Sequence, residues 1–336
     1  MKKQNQNASE VAVPKAVFIT GANGFIGKAL AERYRALGCE VKGMDLNADP
    51  KLGVVAGSLS KTATWKDQVA GCDLFINTAA VVSMAAPWKE YCEISVEAVR
   101  SCIELAVANG CKRFVHFSSM AALGWDYKRE LDETGPVVIG KDFRYGVAKG
   151  ASEHVVLAAH AAGEIDCTII RPGDVYGPGS RAWMVEPLKA AQSGMLVLPN
   201  KGEGRFSPVY IDDLVEGVML AAGLPQGSGQ IFNLSAGETV SCRSFFTHHW
   251  RWAGRKGSPP TLPLGAAVAL TRIIALLTRL SGRRTEATPD TMLMFARQAG
   301  MSIDKARNLL GFKPKVTLEE GLRRSEVWLR ETGQIR

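Results

Sequence analysis

Apolar and polar positions along this chain follow two alternating periods. Short, nearly continuous apolar runs recur at residues 16–19, 40–44, 74–77, 114–117 and 168–170, and stretches of helical pattern, such as 28–37 and 95–109, lie between them. Runs this short and this apolar predict strands buried on both faces. Strands that alternate with helices predict an α/β fold, a doubly wound parallel sheet covered by helices on both faces. The alternation ends near residue 170, in a chain of 336 residues that is long enough for one large domain or two unequal ones. The pattern divides it into a polar N-terminal tail expected to be disordered at 1–12, a sheet domain at 13–180 and 205–236, and a smaller, mainly helical lobe at 181–204 and 237–331.

The first run passes through Thr20 into a glycine turn, Gly21-Ala22-Asn23-Gly24-Phe25-Ile26-Gly27, and then into the first helix. Gly21 permits a tight turn, Gly24 lets a pyrophosphate approach the backbone, and Gly27 lets the helix lie close to the strand. The open helix N-terminus adds free N–H groups and a positive dipole end, so the turn predicts nucleotide binding on a Rossmann sheet. The second strand runs into Asp45, about 20 residues past the turn, where a carboxylate accepts hydrogen bonds from an adenosine ribose and repels a 2′-phosphate. No arginine follows it, so NAD is expected rather than NADP. The third apolar run ends in the small residues Thr78, Ala79 and Ala80, which leave room for a ligand at the strand edge. The loop 81–88 is rich in apolar groups; Val82, Met84 and Trp88 are candidates for a substrate pocket or for core packing.

Composition changes this picture little. The net charge of +8 is concentrated in the C-terminal third, no nucleic-acid-binding module is present, and a solvated basic surface accounts for the excess. Seven scattered cysteines without a C-x-x-C pair are expected to be reduced and mostly buried, in a cytoplasmic setting. The five histidines form no ligand cluster with acids at metal spacing, so no metal is expected. No G-x-S-x-G turn supports a hydrolase.

Residues 114–124 read FVHFSSMAALG, a strand that ends in Ser118 and Ser119. Tyr145 and Lys149 follow at i and i+4 and share one face of a predicted helix. Together with TGANGFIG (20–27), NTAA (77–80), RPGDVYGPG (171–179), SPVYIDDLVEGV (207–218) and LGFKPKVTLEEGL (310–322), these motifs give the chain its resemblance to the extended short-chain dehydrogenase/reductases, over nearly its whole length. The resemblance implies a catalytic set of Ser119, Tyr145 and Lys149, with Ser118 as the reserve for the serine. It implies a cofactor site formed by Gly21, Asn23, Gly24, Phe25, Ile26, Gly27, Asp45, Ser58, Leu59, Thr78, Ala79, Ala80, Tyr145, Lys149, Pro172, Gly173 and Val175. Ser119 and Arg181 join Val82, Met84 and Trp88 as substrate candidates. Two departures stand out: Gly57-Ser58-Leu59 where the family has Gly-Asp-Leu, and Ser95-Val96 where it often has Asn-Val. A homodimer through helices near 95–109 and 145–162 is also implied. In this scheme Lys149 and an oxidised nicotinamide favour the Tyr145 phenolate, Tyr145 takes the proton of a substrate alcohol, and Ser119 holds the substrate oxygen.

The C-terminal lobe is expected to carry specificity. Residues 262–280 read LPLGAAVALTRIIALLTRL, as apolar as a membrane segment but interrupted by Arg272 and Arg279. Ile273, Ile274, Leu276, Leu277 and Leu280 form a broad stripe, followed by Arg283 and Arg284. Three roles are open: packing on the lobe, lining an apolar substrate pocket, or peripheral contact of 262–284 with an anionic membrane. The long apolar insertion resembles the 3β-hydroxysteroid dehydrogenase branch, which implies an NAD-dependent enzyme interconverting a secondary alcohol and a ketone on a bulky apolar substrate. Alternatives are a nucleotide-sugar epimerase or dehydratase, a reductase of long-chain 3-oxo acids or flavonoid-like ketones, and a non-catalytic nucleotide-binding regulator.

Overall fold

A computed structural model describes residues 11–140, 142–282 and 284–336. Seven parallel strands form the central sheet: β1 (Ala16–Thr20), β2 (Glu40–Asp45), β3 (Val54–Ala56), β4 (Leu74–Asn77), β5 (Arg113–Phe117), β6 (Asp166–Pro172) and β7 (Gln230–Leu234). Their order is β7-β6-β5-β4-β1-β2-β3. The order reverses between β1 and β4, which opens a crevice at the carboxyl edge where the glycine turn leaves β1.

Side chains along each strand divide between two cores, which is why the runs read as continuously apolar. Val17, Ile19, Ile76, Val115, Phe117 and Ile170 face one side, against helices α1 (Phe25–Ala36) and, downstream, α6 (Ile211–Gly223). Phe18, Phe75, Phe114, Cys167 and Ile169 face the other, against α3 (Ala98–Ala108) and α4 (Arg144–Ala161). Between them in the chain, α2 (Trp88–Cys92) runs through a π turn, Glu93–Glu97, into α3, and α5 (Glu186–Gln192) follows β6. The helix expected at 28–37 begins three residues earlier, because the extended backbone of Gly24 (φ −69°, ψ 164°) starts α1 at Phe25.

The first core does not stop at the sheet. It continues through Trp183, Phe206, Phe245, Phe246 and Phe295 into the C-terminal helices α7 (Cys242–Trp252), α8 (Leu264–Leu280), α9 (Pro289–Met294), α10 (Asp304–Leu310) and α11 (Leu318–Glu331). Ser241, Thr288 and Thr317 cap α7, α9 and α11 with their hydroxyls. The chain returns to the sheet domain through two short strands, Arg205–Phe206 and Pro208–Tyr210, and Ile211 begins α6. Residues 1–10 of the expected tail lie outside the described residues. Its end is docked: Val11 packs on the core and the Ala12 N–H donates to Gly223 O at 3.1 Å. Six of the seven cysteines are buried, and burial pushes the Cys102, Cys111, Cys167 and Cys242 thiols up to about 12.

The apolar stripe of α8 corrects one expectation. Only Ala267 and Thr271 are buried, while Ile273, Leu276, Leu277 and Leu280 are 56 to 76% exposed. The stripe therefore does not pack on the lobe; the narrow face centred on Ala267 does.

One buried ion pair joins the chain after α9 to the strand pair of Asp174–Tyr176 with Pro208–Tyr210. The Arg297 guanidinium contacts the Asp174 carboxylate, and its Nε donates to Arg205 O at 2.5 Å. Asp174 also accepts from the Ser207 N–H at 2.8 Å. Removing one partner strands a charge in the core. Arg297→Met and Asp174→Leu alone are each expected to lower unfolding free energy by about 3–5 kcal/mol, and the double variant by less than the two together. Urea unfolding of the four proteins measures this cycle; additive losses would mean that the pair carries no coupling.

Candidate active site

Ser119, Tyr145 and Lys149 come together at the carboxyl edge of β5. Ser119 has an extended backbone and begins the 3₁₀ turn Met120–Leu123; its hydroxyl accepts from the Ala121 N–H at 3.1 Å. Helix α4 carries Tyr145 and Lys149 on one face, and Ser119 is near enough to Tyr145 for its hydroxyl to bear on the phenol's pKa. The close approach depends on Gly146, where a Cβ would lie 2.4 Å from Ala121 O and 2.3 Å from the Phe143 ring. The Tyr91 and Phe143 rings lie beside Tyr145, which packs with Val81 and Val96 against a small buried cluster of Ala86, Tyr91 and Ala148.

The lowering of the Tyr145 pKa expected above requires an oxidised nicotinamide beside Lys149; the protein's own groups act on the phenol in two directions. Burial dominates and pushes the phenol above its ordinary value, while Ser119 pulls it back. The Lys149 ammonium is engaged with Phe117 O at 2.7 Å. Burial pushes Lys149 down to about 8, against the attraction of Glu153.

Two buried polar networks hold this edge. In the first, Glu153 takes a bidentate pair from Arg171, at 2.7 and 2.6 Å, and accepts from the Ser118 hydroxyl. Ser118 thus supports α4 from below, and Ser119 alone faces Tyr145. In the second, Thr20 Oγ1 donates to Asn77 Oδ1 (2.6 Å), Asn77 Nδ2 meets His116 Nδ1 (3.2 Å), His116 Nε2 meets Ser152 Oγ (2.9 Å), and Ser152 Oγ donates to Lys149 O (2.7 Å). Every group is satisfied when Nε2 carries the proton of a neutral His116. Burial, with Lys149 as the lesser cause, keeps that ring's pKa well below its ordinary value.

The glycine turn fits the phosphate-binding geometry. Gly21 has φ +69° and touches Thr78 and Ala79; a Cβ there would lie 2.8 Å from Thr78 Oγ1. A Cβ on Gly27 would lie 2.1 Å from Gly21 O. Gly24 begins α1 with no side-chain cap, so the N–H groups of Phe25 and Ile26 open the helix toward the crevice. Asp45 ends β2 beside this turn and accepts from the Asn23 N–H at 2.9 Å and the Leu46 N–H at 2.7 Å. Thr78 donates to Thr20 O at 2.6 Å, and Ala79 and Ala80 follow along the same edge. Ser58 and Leu59 follow β3, with Leu59 buried and Ser58 O accepting from Trp65 Nε1 at 2.9 Å. Pro172 ends β6, Gly173 lies where a Cβ would meet Ser207 O at 2.4 Å, and Val175 is buried in the next strand.

The substrate candidates divide. Met84 is partly buried against the core, Val82 is 73% exposed and Trp88 is exposed. Arg181 points to solvent and pairs with Glu186 at 3.0 Å. Loop 81–88 is held from three sides: Tyr91 donates to Ser83 O, Ser95 Oγ accepts from the Val81 N–H at 3.3 Å, and Glu286 accepts from Ser83 Oγ at 2.6 Å and the Met84 N–H at 2.7 Å. Glu286 had no sequence signal, since it reaches across about 200 residues. Glu153 did have one, a carboxylate one turn beyond Lys149 on an otherwise apolar helix. His249 is held within an aromatic cluster, its Nε2 bonding Trp183 O at 2.7 Å.

Known proteins are similar to this one over nearly the whole chain. The sequence is 27% identical over 315 residues to a 4-hydroxy-2-methyl-3-oxo-4-farnesyl-3,4-dihydroquinoline-1-oxide ketoreductase of Stigmatella aurantiaca, covering 91% of this chain and 94% of that one. It is 26% identical over 328 residues to a 3-beta-hydroxysteroid dehydrogenase of Mycolicibacterium neoaurum, covering 91% and 89%. Its fold matches an epimerase of Methanothermobacter thermautotrophicus with a TM-score of 0.77 at 21% identity, covering 95% and 93%. The profile of the NAD dependent epimerase/dehydratase family matches residues 17–235, from β1 through β7. The chain belongs to the NAD dependent epimerase/dehydratase family.

Proposed function

We propose that this chain is an NAD-dependent dehydrogenase or reductase, 3β-hydroxysteroid dehydrogenase-like, that interconverts a secondary alcohol and a ketone on a bulky apolar substrate. The observation that carries the reading is that Ser119, Tyr145 and Lys149 meet at the carboxyl edge of β5, with the Tyr91 and Phe143 rings and the apolar loop residues Val81 and Ala86 on the Tyr145 side. A nucleotide sugar needs charged or hydrogen-bonding partners there, whereas the groups around Tyr145 suit a hydrocarbon skeleton. The whole-chain likeness to a farnesyl-quinoline ketoreductase and a hydroxysteroid dehydrogenase supports the same substrate class.

The residues of the crevice fit NAD. Gly21, Gly24 and the open start of α1 suit a pyrophosphate, and the Asp45 carboxylate suits an unphosphorylated ribose. When bound, NAD supplies the two-electron hydride chemistry. The Tyr145 phenolate would take the proton of the substrate alcohol, and in the reverse direction the Tyr145 hydroxyl would give a proton to the forming alkoxide. The Ser119 hydroxyl holds the substrate oxygen and stabilises its developing charge. Lys149 places a cation one helical turn from Tyr145.

Purified protein with NAD and a panel of 3β-hydroxysteroids, long-chain 3-hydroxy acids and nucleotide sugars tests the assignment. Net NADH from an apolar alcohol is expected, with NADP much the poorer cofactor. Tyr145→Phe is expected to lower kcat by about 10²–10⁴-fold and Ser119→Ala by about 10²–10³-fold. Conversion of a nucleotide sugar to its epimer without net NADH would overturn the reading.

Lys149 adds a prediction on stability. Its folded pKa of about 8 lies below the ordinary value near 10.5. Between those values the unfolded chain binds the extra proton, so this group's contribution to stability rises with pH, by about 1.4 kcal/mol per unit. Relative to Lys149→Met, the wild type is therefore expected to gain stability as pH rises from about 8 to about 10. Urea midpoints of both proteins across that window measure the difference; a constant difference would show that the ammonium is not desolvated.

A further inference from the structure

Helix α8 is inverted relative to an ordinary surface helix. Its packed side holds Ala267 and Thr271, with Leu264 and Val268 against the core. Its outer side holds Leu270, Ile273, Leu276, Leu277 and Leu280, all exposed. At about 100° per residue these five fall within an arc of about 120°, opposite the packed side. Arg272 and Arg279, both exposed, lie together along one border of that arc.

The charge around this helix is one-sided. From Thr239 through Thr285 the chain has no Asp or Glu and eight Lys or Arg, which equals the whole chain's net charge of +8. Half of that excess, Arg272, Arg279, Arg283 and Arg284, lies on α8 or just after it in the chain, the other half lies on or just after α7, and the remainder of the chain is balanced. A second copy of this chain seated face to face on α8 would bring like arginine borders together with no carboxylate on the helix to offset them. Hydrocarbon flanked by anionic headgroups matches both the apolar arc and its basic edge. Among the described residues no helix is long and apolar enough to cross a membrane.

We infer that α8 lies flat on an anionic lipid bilayer, with Leu270, Ile273, Leu276, Leu277 and Leu280 in the acyl boundary and Arg272 and Arg279 at the headgroups. The helix is coupled to the candidate site by its exit segment. Glu286 holds Ser83 and Met84 in the loop that packs beside Tyr145, and Arg284 pairs with Glu90 at 3.1 Å. A docked α8 thus holds the Tyr145 side of the molecule near the lipid. The inference does not depend on the substrate proposed above.

Flotation of the full-length protein with vesicles of phosphatidylcholine, with and without phosphatidylglycerol, tests it. Binding is expected only with phosphatidylglycerol, and is expected to weaken as salt is raised. Ile273→Asp/Leu277→Asp, at exposed positions, is expected to keep the wild-type melting temperature and to lose about tenfold or more in vesicle binding. Arg272→Gln/Arg279→Gln leaves the apolar arc intact and is expected to lose binding to phosphatidylglycerol vesicles several-fold. Absence of wild-type binding to phosphatidylglycerol vesicles would overturn the inference. So would equal binding to both vesicles, or binding unchanged by both double variants. A dimer abolished by Ile273→Asp/Leu277→Asp, with no vesicle binding by the wild type, would assign the face to a second copy instead.

Discussion

A carboxylate buried beneath the candidate site governs much of the chain. Glu153 and Arg171 are 3 and 2% exposed, and a lone charge at that depth would cost several kcal/mol. The bidentate guanidinium and the Ser118 hydroxyl leave Glu153 few arrangements. Because Glu153 stands on α4, Arg171 on β6 and Ser118 just past β5, the ion pair fixes the helix against the sheet. Lys149 is one turn before Glu153 and Tyr145 two turns before it, so both inherit that register. The second network, from Thr20 through Asn77, His116 and Ser152, ties the same helix to β1, where the glycine turn begins. One helix therefore answers to both the proton-handling groups and the nucleotide-binding turn.

Close backbone approach is the companion constraint. Gly27 lets α1 pass against Gly21, and Gly146 lets α4 pass against the turn that Ser119 caps. A methyl group at either position meets a carbonyl oxygen well inside van der Waals distance. These two glycines remove side chains so that two active elements can stand near each other. The neighbours they admit then satisfy the exposed polar groups: Ala79 N–H donates to Thr20 Oγ1, and Ser119 Oγ accepts from Ala121.

The C-terminal segments are continuous with the sheet domain in their packing but not in their surface. The aromatic cluster around Phe206 and Phe245 and the Arg297–Asp174 pair bind them to the core on one side. Helix α10 packs back near the edge strand β7, although it lies in the stretch the sequence assigns to the lobe. Helix α8 is the exception: it has an apolar face turned away from the protein and a basic border. That surface is the least explained by the fold and the most informative about where the protein works.

Local pattern by itself determined five of the seven strands and the nucleotide-binding turn, and left the two edge strands, β3 and β7, to the structure. Strands buried on both faces must be apolar throughout, and a turn that brings backbone to phosphate must be glycine-rich. Ser119, Tyr145 and Lys149 were legible through the motif resemblance; spacing alone put Tyr145 and Lys149 on one face and offered both Ser118 and Ser119 at the strand end. What distance along the chain conceals, only the tertiary structure decided. Glu286 meets Ser83 across about 200 residues, and Arg297 meets Asp174 across about 120. Burial, which raises the Tyr145 pKa more than Ser119 lowers it, and the Lys149 bond to Phe117 O were likewise visible only in the folded chain. The stripe on α8 shows the same limit: periodicity identifies an apolar face, but which face meets the core depends on neighbours that periodicity does not contain.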